Sequence, residues 1–329
     1  MLTTEFTRRF DIEHPIIQPG MGSICGARLA AAVSNAGALG TIGSIGRTPD
    51  ALAAEIRACQ HATDRPFAVN LATFDWAPFA ATMIDAAIEA GAEILSLSFG
   101  DFLPAFERCR SAERKIIVQV QDMAGAEAAL AAGAAAVIAQ GNEAGGHTGP
   151  RGTLSFAAQV LRIAGDTPVL LAGGIADGRG LAAALAMGAG GASIGTRFKA
   201  TPEFGPDAFS EVVEAQKAAI VASDGANTLF DDVFDTAIAL VWPEGISGRA
   251  LRNDFSAEWQ GRLAELRERV AAGPPGAFGA GIDASPRTSL NWAGESAGLV
   301  DRVMPAAEIV AEVVREAEVL LRRAAGLVT

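Results

Sequence analysis

The histidine at position 147 is the side chain whose surroundings best suit acid–base chemistry. It follows two glycines in the sequence AQGNEAGGHTG, and Gly145 and Gly146 carry no Cβ that would keep a flat ligand from the backbone. An imidazole can take up a proton at neutral pH, so we predict that His147 acts as a general base. A lone loop histidine is more often a hydrogen-bonded bystander, which is our interpretation of His14 and His61.

Two glycine-bearing turns follow predicted strands and could together hold a phosphate. One contains Gly173 and Gly174, and the other contains Gly195 and Thr196. Turns of this kind can point backbone N–H groups at one phosphate, although the glycines of either turn alone could merely permit a tight bend. The sequence has no GxGxxG turn followed by an acidic ribose ligand, so a mononucleotide fits better than a dinucleotide.

Other catalytic classes find little support. No serine, cysteine or threonine lies in a nucleophile-elbow pattern, and no carboxylates or histidines have metal-ligand spacing, so neither hydrolase nor metal chemistry is predicted. Cys25, Cys59 and Cys109 are odd in number and widely spaced, which predicts ordinary reduced thiols rather than a disulfide framework or a zinc site.

Composition and charge narrow the setting of the protein. The 329 residues are 50% hydrophobic, which is enough for a large core. A net charge of −12 opposes binding to the phosphate backbone of nucleic acids. No apolar run approaches the roughly 20 residues that cross a bilayer, and the N-terminus lacks the apolar stretch of a signal peptide. We therefore expect a cytoplasmic protein with neither a nucleic-acid nor a membrane partner.

Short apolar runs alternate with alanine-rich helical stretches, which is the rhythm of a parallel sheet covered by helices. Helices are predicted at residues 26–35, 49–59, 79–90, 124–132, 156–164 and 178–187. Eight strands are predicted, at residues 15–18, 38–42, 67–71, 93–98, 116–120, 136–140, 168–172 and 191–195. This count predicts an α/β fold, a TIM (β/α)₈ barrel, with an open doubly wound sheet as the alternative.

The alternation stops after Phe198, which predicts a second, smaller and mostly helical domain. Residues 201–266 have mostly helical character, and residues 273–286 are rich in glycine and proline. We assign residues 1–204 and 288–329 to the barrel and residues 205–287 to a lid beside the substrate. The tail from 306 to 325 has apolar residues at helical spacing, so we expect one amphipathic helix that packs on the barrel.

Several motifs resemble those of the nitronate monooxygenases, formerly called 2-nitropropane dioxygenases. They are QPGMG, AVSNAGALGTIG, FAVNLA, AQGNEAGGHTG, AGGIADGRG and SIGTRFKATPE, followed later by NWAGESAGL, which in this family returns to the barrel mouth. The resemblance covers about residues 13–204 and 288–325. It implies an FMN-binding TIM barrel that oxidises alkyl nitronates or nitroalkanes with O₂, giving a carbonyl compound and nitrite.

The resemblance also implies a role for individual residues. His147 falls on the catalytic histidine of the family. The flavin ring and ribityl chain are expected at Gly20, Met21, Asn70, Gln119, Gln140 and Gly145, and the FMN phosphate at Gly173, Gly174, Gly195 and Thr196. The expected partners are a small nitro compound and O₂, with a homodimer left open as the assembly.

Departures from the family pattern leave the substrate open. Gln119 stands where some relatives carry lysine, Glu295 replaces an amide, and the chain contains no tyrosine. The alternatives on the same barrel are an FMN-dependent, NAD(P)H-consuming enoyl-acyl-carrier-protein reductase and an NADH:quinone reductase. A binding protein without catalysis would make His147 dispensable.

Overall fold

Eight parallel strands form a ring at the centre of the molecule. The structure is a computed structural model that describes residues 2–73, 80–206, 210–274, 276–283 and 285–327. The strands of the chain up to residue 193 are β1 Ile16–Ile17, β2 Gly40–Gly43, β3 Phe67–Ala72, β4 Ile94–Ser98, β5 Lys115–Val120, β6 Ala136–Gln140, β7 Gly146–Thr148, β8 Val169–Ala172 and β9 Gly191–Ser193. All but β7 pair in the order β1-β9-β8-β6-β5-β4-β3-β2, and a bridge from Ile17 to Leu39 connects the two ends. The predicted barrel is therefore confirmed, and the open sheet is not observed.

Helices cover the outside of this ring. They are α1 Glu5–Phe10, α2 Ala27–Asn35, α3 Pro49–Ala62, α4 Ala80–Glu89, α5 Leu103–Ser111, α6 Met123–Ala132, α7 Thr153–Ile163, α8 Gly178–Ala186 and α9 Thr196–Lys199. Local signals begin and end them: Thr48 caps α3 ahead of Pro49, and Gly133 ends α6 at a φ of 85°. The helix predicted at 79–90 is α4, and residue 79 lies outside the described part of the chain.

The first helix closes the barrel from below. Phe6 and Phe10 of α1 are fully buried among the inward-facing side chains of the strands. The carbonyl of Arg9 accepts a hydrogen bond from Lys115, and Arg9 donates to the carbonyl of Ala135, so α1 lies at the N-terminal ends of the strands. Because this end is filled, a ligand can enter only at the carboxyl ends of the strands.

The remaining chain adds a second region and then returns to the barrel. Its elements are α10 Glu211–Val221, β10 Thr228–Asp231, α11 Val233–Ala237, β11 Ser247–Leu251, α12 Asp254–Trp259, α13 Leu263–Ala271, α14 Ala277–Asp283, a 3₁₀ helix Glu295–Leu299 and α15 Ala306–Ala325. The mostly helical prediction for 201–266 missed β10 and β11. These strands have four and five residues, and they form by pairing in the order β10-β11-β7 with a strand from the barrel loops, which local sequence does not indicate.

The predicted amphipathic tail is the helix α15, and it packs on α8 as expected. Contact is close enough that a Cβ on Gly178 would lie 2.4 Å from the Cβ of Glu316. The carboxylate of Glu316 accepts a hydrogen bond from the Gly178 amide at 2.9 Å. Among the described residues, no helix combines the length and apolar character required of a transmembrane segment.

A buried lysine joins the returning segment to the barrel. The Nζ of Lys199, at the end of α9, donates to the Oδ1 of Asn291 at 2.8 Å and to the carbonyl of Trp292 at 2.6 Å. Within the described chain, no carboxylate pairs with this ammonium group. Burial therefore lowers the pKa of Lys199 to about 7.

This lowered pKa predicts a pH-dependent stability. Between about pH 7 and the ordinary pKa of lysine, Lys199 is protonated in the unfolded chain and largely neutral in the folded one. Lys199 should therefore make the free energy of unfolding rise with pH in this range. The rise should be about 1 kcal/mol per pH unit and absent in Lys199→Met. Urea unfolding of both proteins, kept below about pH 8.5 where unfolded cysteines titrate, measures it. Equal pH slopes in the two proteins would contradict this account.

Candidate active site

The barrel mouth gathers the polar side chains that the sequence singled out. Asn70 lies in the second half of β3, Gln119 lies near the end of β5, and Gln140 ends β6. The Oε1 of Gln140 accepts hydrogen bonds from Gln119 at 3.0 Å and from Gln121 at 2.9 Å. No acceptor for the Gln140 amide nitrogen occurs in the described part of the chain, so this group can donate to a ligand at the mouth.

Gly20 lies at this mouth, where the structure leaves no room for a side chain. A Cβ on Gly20 would lie 2.5 Å from the Cβ of Asn70, whose amide nitrogen donates to the carbonyl of Ser96 and the hydroxyl of Ser98. Met21 follows, and its sulfur would lie 3.7 Å from a Cβ on Gly195. The structure therefore brings Gly20 beside Asn70 and Met21 beside Gly195.

The two predicted phosphate turns follow β8 and β9, which are neighbours in the ring. Gly173 and Gly174 have φ values of 115° and 73°, a region that residues with a side chain rarely adopt. The backbone amides of Gly174, Gly195 and Thr196 donate to no acceptor in the described chain. Unsatisfied backbone amides in two adjacent turns are suited to the oxygens of a phosphate.

The returning segment lies against the loop that carries the predicted base. A Cβ on Gly145 would lie 2.5 Å from the amide nitrogen of Gly294, and the Gly294 amide donates to the hydroxyl of Thr196 at 2.9 Å. The Glu295 amide donates to the carbonyl of Glu143 at 2.9 Å. Gly145 thus has a packing reason for lacking a side chain, while a Cβ on Gly146 would meet nothing within 4 Å.

His147 lies on β7, which pairs with a strand of the second region instead of joining the barrel. In this antiparallel pair, Gly248 of β11 stands opposite His147, and Arg249 stands opposite Gly146. A Cβ on Gly248 would lie 2.3 Å from the ring of Trp292 and 3.2 Å from a carboxylate oxygen of Asp235. The pairing therefore brings the histidine into a cluster built from both regions.

Asp235 orients the imidazole. Its carboxylate oxygens lie 2.8 and 3.0 Å from the Nε2 of His147, and the side chains of the histidine and the aspartate are only 10% and 4% exposed. A carboxylate accepts a hydrogen bond, so we assign the proton of a neutral imidazole to Nε2. Nδ1 then carries the lone pair, and it has no hydrogen bond in the described chain.

Two indoles enclose the histidine. The ring of Trp242 stacks on His147 with centroids 3.7 Å apart and an interplanar angle of 17°, while Trp292 meets the imidazole edge-on at 4.6 Å. The Nε1 of Trp242 also donates to Asp235 at 3.1 Å. The carboxylate therefore holds both the imidazole and the indole that covers it, and water has little access to that side of the ring.

Arg249 supports the loop from the side of the second region. Its Nε donates to the carbonyl of Asn142 at 2.6 Å, a terminal nitrogen donates to Thr228 at 2.9 Å, and another contact reaches Glu295 at 3.3 Å. The side chain is buried, so these contacts replace its hydration. Arg249 is thus placed to hold the segment before His147 in register with β11.

Sequence reasoning missed Asp235, Trp242 and Arg249. Asp235 is 88 residues from His147 in the chain, and its neighbourhood, DDVFDTA, has the composition of an ordinary helix start. Only pairing of β7 with β11 brings these residues together.

Comparison with known proteins identifies the family. A model described as Nitronate monooxygenase matches residues 3–316. A Mycobacterium tuberculosis protein named (3aS,4S,5R,7aS)-5-hydroxy-7a-methyl-1-oxo-octahydro-1H-indene-4-carboxyl-CoA dehydrogenase is 32% identical, with 99% of each chain covered. The nitronate monooxygenase of Pseudomonas aeruginosa is 33% identical over 82% of this chain and 96% of that protein. The solved structure of FabK from Thermotoga maritima has a TM-score of 0.85 and 31% identity, and the match covers both chains fully. The chain therefore belongs to the nitronate monooxygenase family of oxidoreductases.

Proposed function

We propose that this protein is an FMN-dependent enzyme that oxidises alkyl nitronates and nitroalkanes with O₂ to a carbonyl compound and nitrite. The observation that carries the proposal is the enclosed His147, held through Nε2 by Asp235 so that Nδ1 can take a proton. Membership of the nitronate monooxygenase family supports the same reaction. In the overall reaction two nitronates consume one O₂: in each nitronate the carbon–nitrogen bond breaks, nitrite leaves, and the carbon gains one of the two oxygen atoms.

The residues at the barrel mouth fit FMN. The amides of Gly174, Gly195 and Thr196 would meet the phosphate, and the left-handed backbone at Gly173 and Gly174 keeps side chains away from it. The amide of Gln140 would face the ring system, with Gln119 fixing its orientation. Gly20, Met21, Asn70 and Gly145 complete the proposed cofactor contacts. FMN would supply an electron-accepting ring at this mouth.

The chain itself would perform the proton transfer. A nitroalkane spreads the charge of its deprotonated carbon onto the nitro oxygens, so one positioned imidazole is enough to remove the α-proton. Nδ1 of His147 would accept that proton, and the carboxylate of Asp235 would stabilise the resulting imidazolium through the Nε2–H bond. Trp242 and Trp292 would keep bulk water from the ring during the transfer.

A second candidate is the oxidation of a coenzyme A thioester. The observation that favours it is the match to the M. tuberculosis dehydrogenase, whose name specifies a ring compound bearing a carboxyl-CoA group. The same base and cofactor site could serve such a substrate, because a thioester also acidifies its α-carbon. Assays with nitronates and with acyl-CoA substrates, run on the same preparation, separate the two candidates.

Replacement of His147 by alanine should distinguish neutral nitroalkanes from nitronates. A general base contributes about 10²–10⁴-fold, so kcat/KM with nitroethane should fall by that factor in His147→Ala. Ethyl nitronate has already lost its proton, and its kcat/KM should fall far less. Oxygen uptake with both substrates provides the measurement, with flavin content checked for each protein. If both substrates lost activity equally, or neither did, His147 would not be the base.

Asp235→Asn should weaken the same step without removing the base. The asparagine can no longer stabilise the imidazolium, and it can present an N–H group that selects the wrong tautomer, so turnover of nitroethane should fall about tenfold or more. Asp254→Asn is the matched control, since Asp254 is exposed at the start of α12 in the same region and pairs with Arg287 instead of His147. Steady-state kinetics with nitroethane and its nitronate test this. Full nitroethane activity in Asp235→Asn would show that the carboxylate has no role in proton transfer.

A further inference from the structure

The second region contains a cavity of about 500 Å³ that lies outside the barrel mouth. Its lining is mainly apolar, with Leu240, Ile246, Val270 and Phe278 among its walls, contributed by α13, α14 and the segment between α11 and β11. Val241 also lines it and is 78% exposed, so the cavity opens to solvent past an apolar side chain. None of the contacts described above for the proposed FMN site involves these walls.

Two side chains connect this cavity to the base. Asp235 and Trp242 both line the cavity, and both touch His147, one through the hydrogen bond to Nε2 and the other by ring stacking at 3.7 Å. These two side chains therefore lie between the cavity and the imidazole. A ligand whose reacting carbon lies at His147 would extend into the cavity once the Trp242 indole shifts.

We propose that this cavity binds the apolar body of the substrate, an alkyl or acyl chain of medium length attached to the carbon that His147 deprotonates. Ligand pockets of roughly 300–1,000 Å³ are typical of drug-sized molecules, and a two- or three-carbon nitroalkane would leave most of 500 Å³ empty. Each methylene group that moves from water into the apolar lining would make the free energy of binding more favourable. The inference deepens the proposed function by assigning a substrate class to the same site, and it rests on that function.

A filling variant and its matched control test the cavity. Ala271 lies at the exposed end of α13 and lines the cavity, whereas Ala264 is exposed on the same helix and does not. Both accept phenylalanine without disturbing the buried face of the helix. Flavin-loaded wild type, Ala271→Phe and Ala264→Phe would be assayed with linear 1-nitroalkanes from nitroethane to nitrooctane. Calorimetric titration with 1-butanol, 1-hexanol and 1-octanol, which have no acidic carbon, measures binding without turnover.

In the wild type and in Ala264→Phe, kcat/KM and alkanol affinity should rise about threefold to fourfold for each added methylene. In Ala271→Phe both should stay nearly flat with chain length, while nitroethane turnover is unchanged. Absence of a length dependence in the wild type, or its persistence in Ala271→Phe, would overturn the cavity assignment. If no nitroalkane were turned over but the alkanol pattern appeared, the proposed reaction would fail while the apolar binding site would stand.

Discussion

The antiparallel pairing of β7 with β11 is the interaction on which the candidate site depends. It takes three residues from the loop after β6 and makes them part of a sheet whose other strands belong to the second region. His147 is thereby carried from the barrel mouth to a position against Asp235, with Trp242 and Trp292 around its ring. Glycine at 248 is required because Trp292 occupies the space where a side chain would lie. Without this pairing, His147 would lie on a solvated loop.

The barrel and the two glycine turns after β8 and β9 could be predicted because their signals are local. Each strand is a short apolar run, and the glycines at 173 and 174 have left-handed φ values that few other residues adopt. Motifs spread along the barrel strands and turns indicated the family, and the family model matches residues 3–316.

The partners of the base could not be predicted because they depend on distant contacts. Nothing near Asp235 in the chain indicates that it meets a residue 88 positions away. The two short strands of the second region have no pronounced alternation of their own, and they pair with each other and, through β11, with β7. For Gly145 the structure gives a packing explanation instead: its close contact with Gly294 already explains the absence of a side chain. The role of Gly145 in binding the flavin stays a prediction.

Relatives with nearly the same sequence identity to this chain have names that specify different reactions. The proposed oxidation of nitronates differs from the reductase reactions considered for this barrel in which compound donates electrons to the flavin. The most direct measurement is anaerobic mixing of the purified, flavin-loaded protein with propionate 3-nitronate, NADH or NADPH, followed by the flavin absorbance. The account predicts that the nitronate alone bleaches the flavin within the mixing experiment and that both pyridine nucleotides leave it oxidised. Rapid bleaching by NADH or NADPH, with no change on adding the nitronate, would contradict it and indicate a reductase with an enoyl thioester or quinone as acceptor.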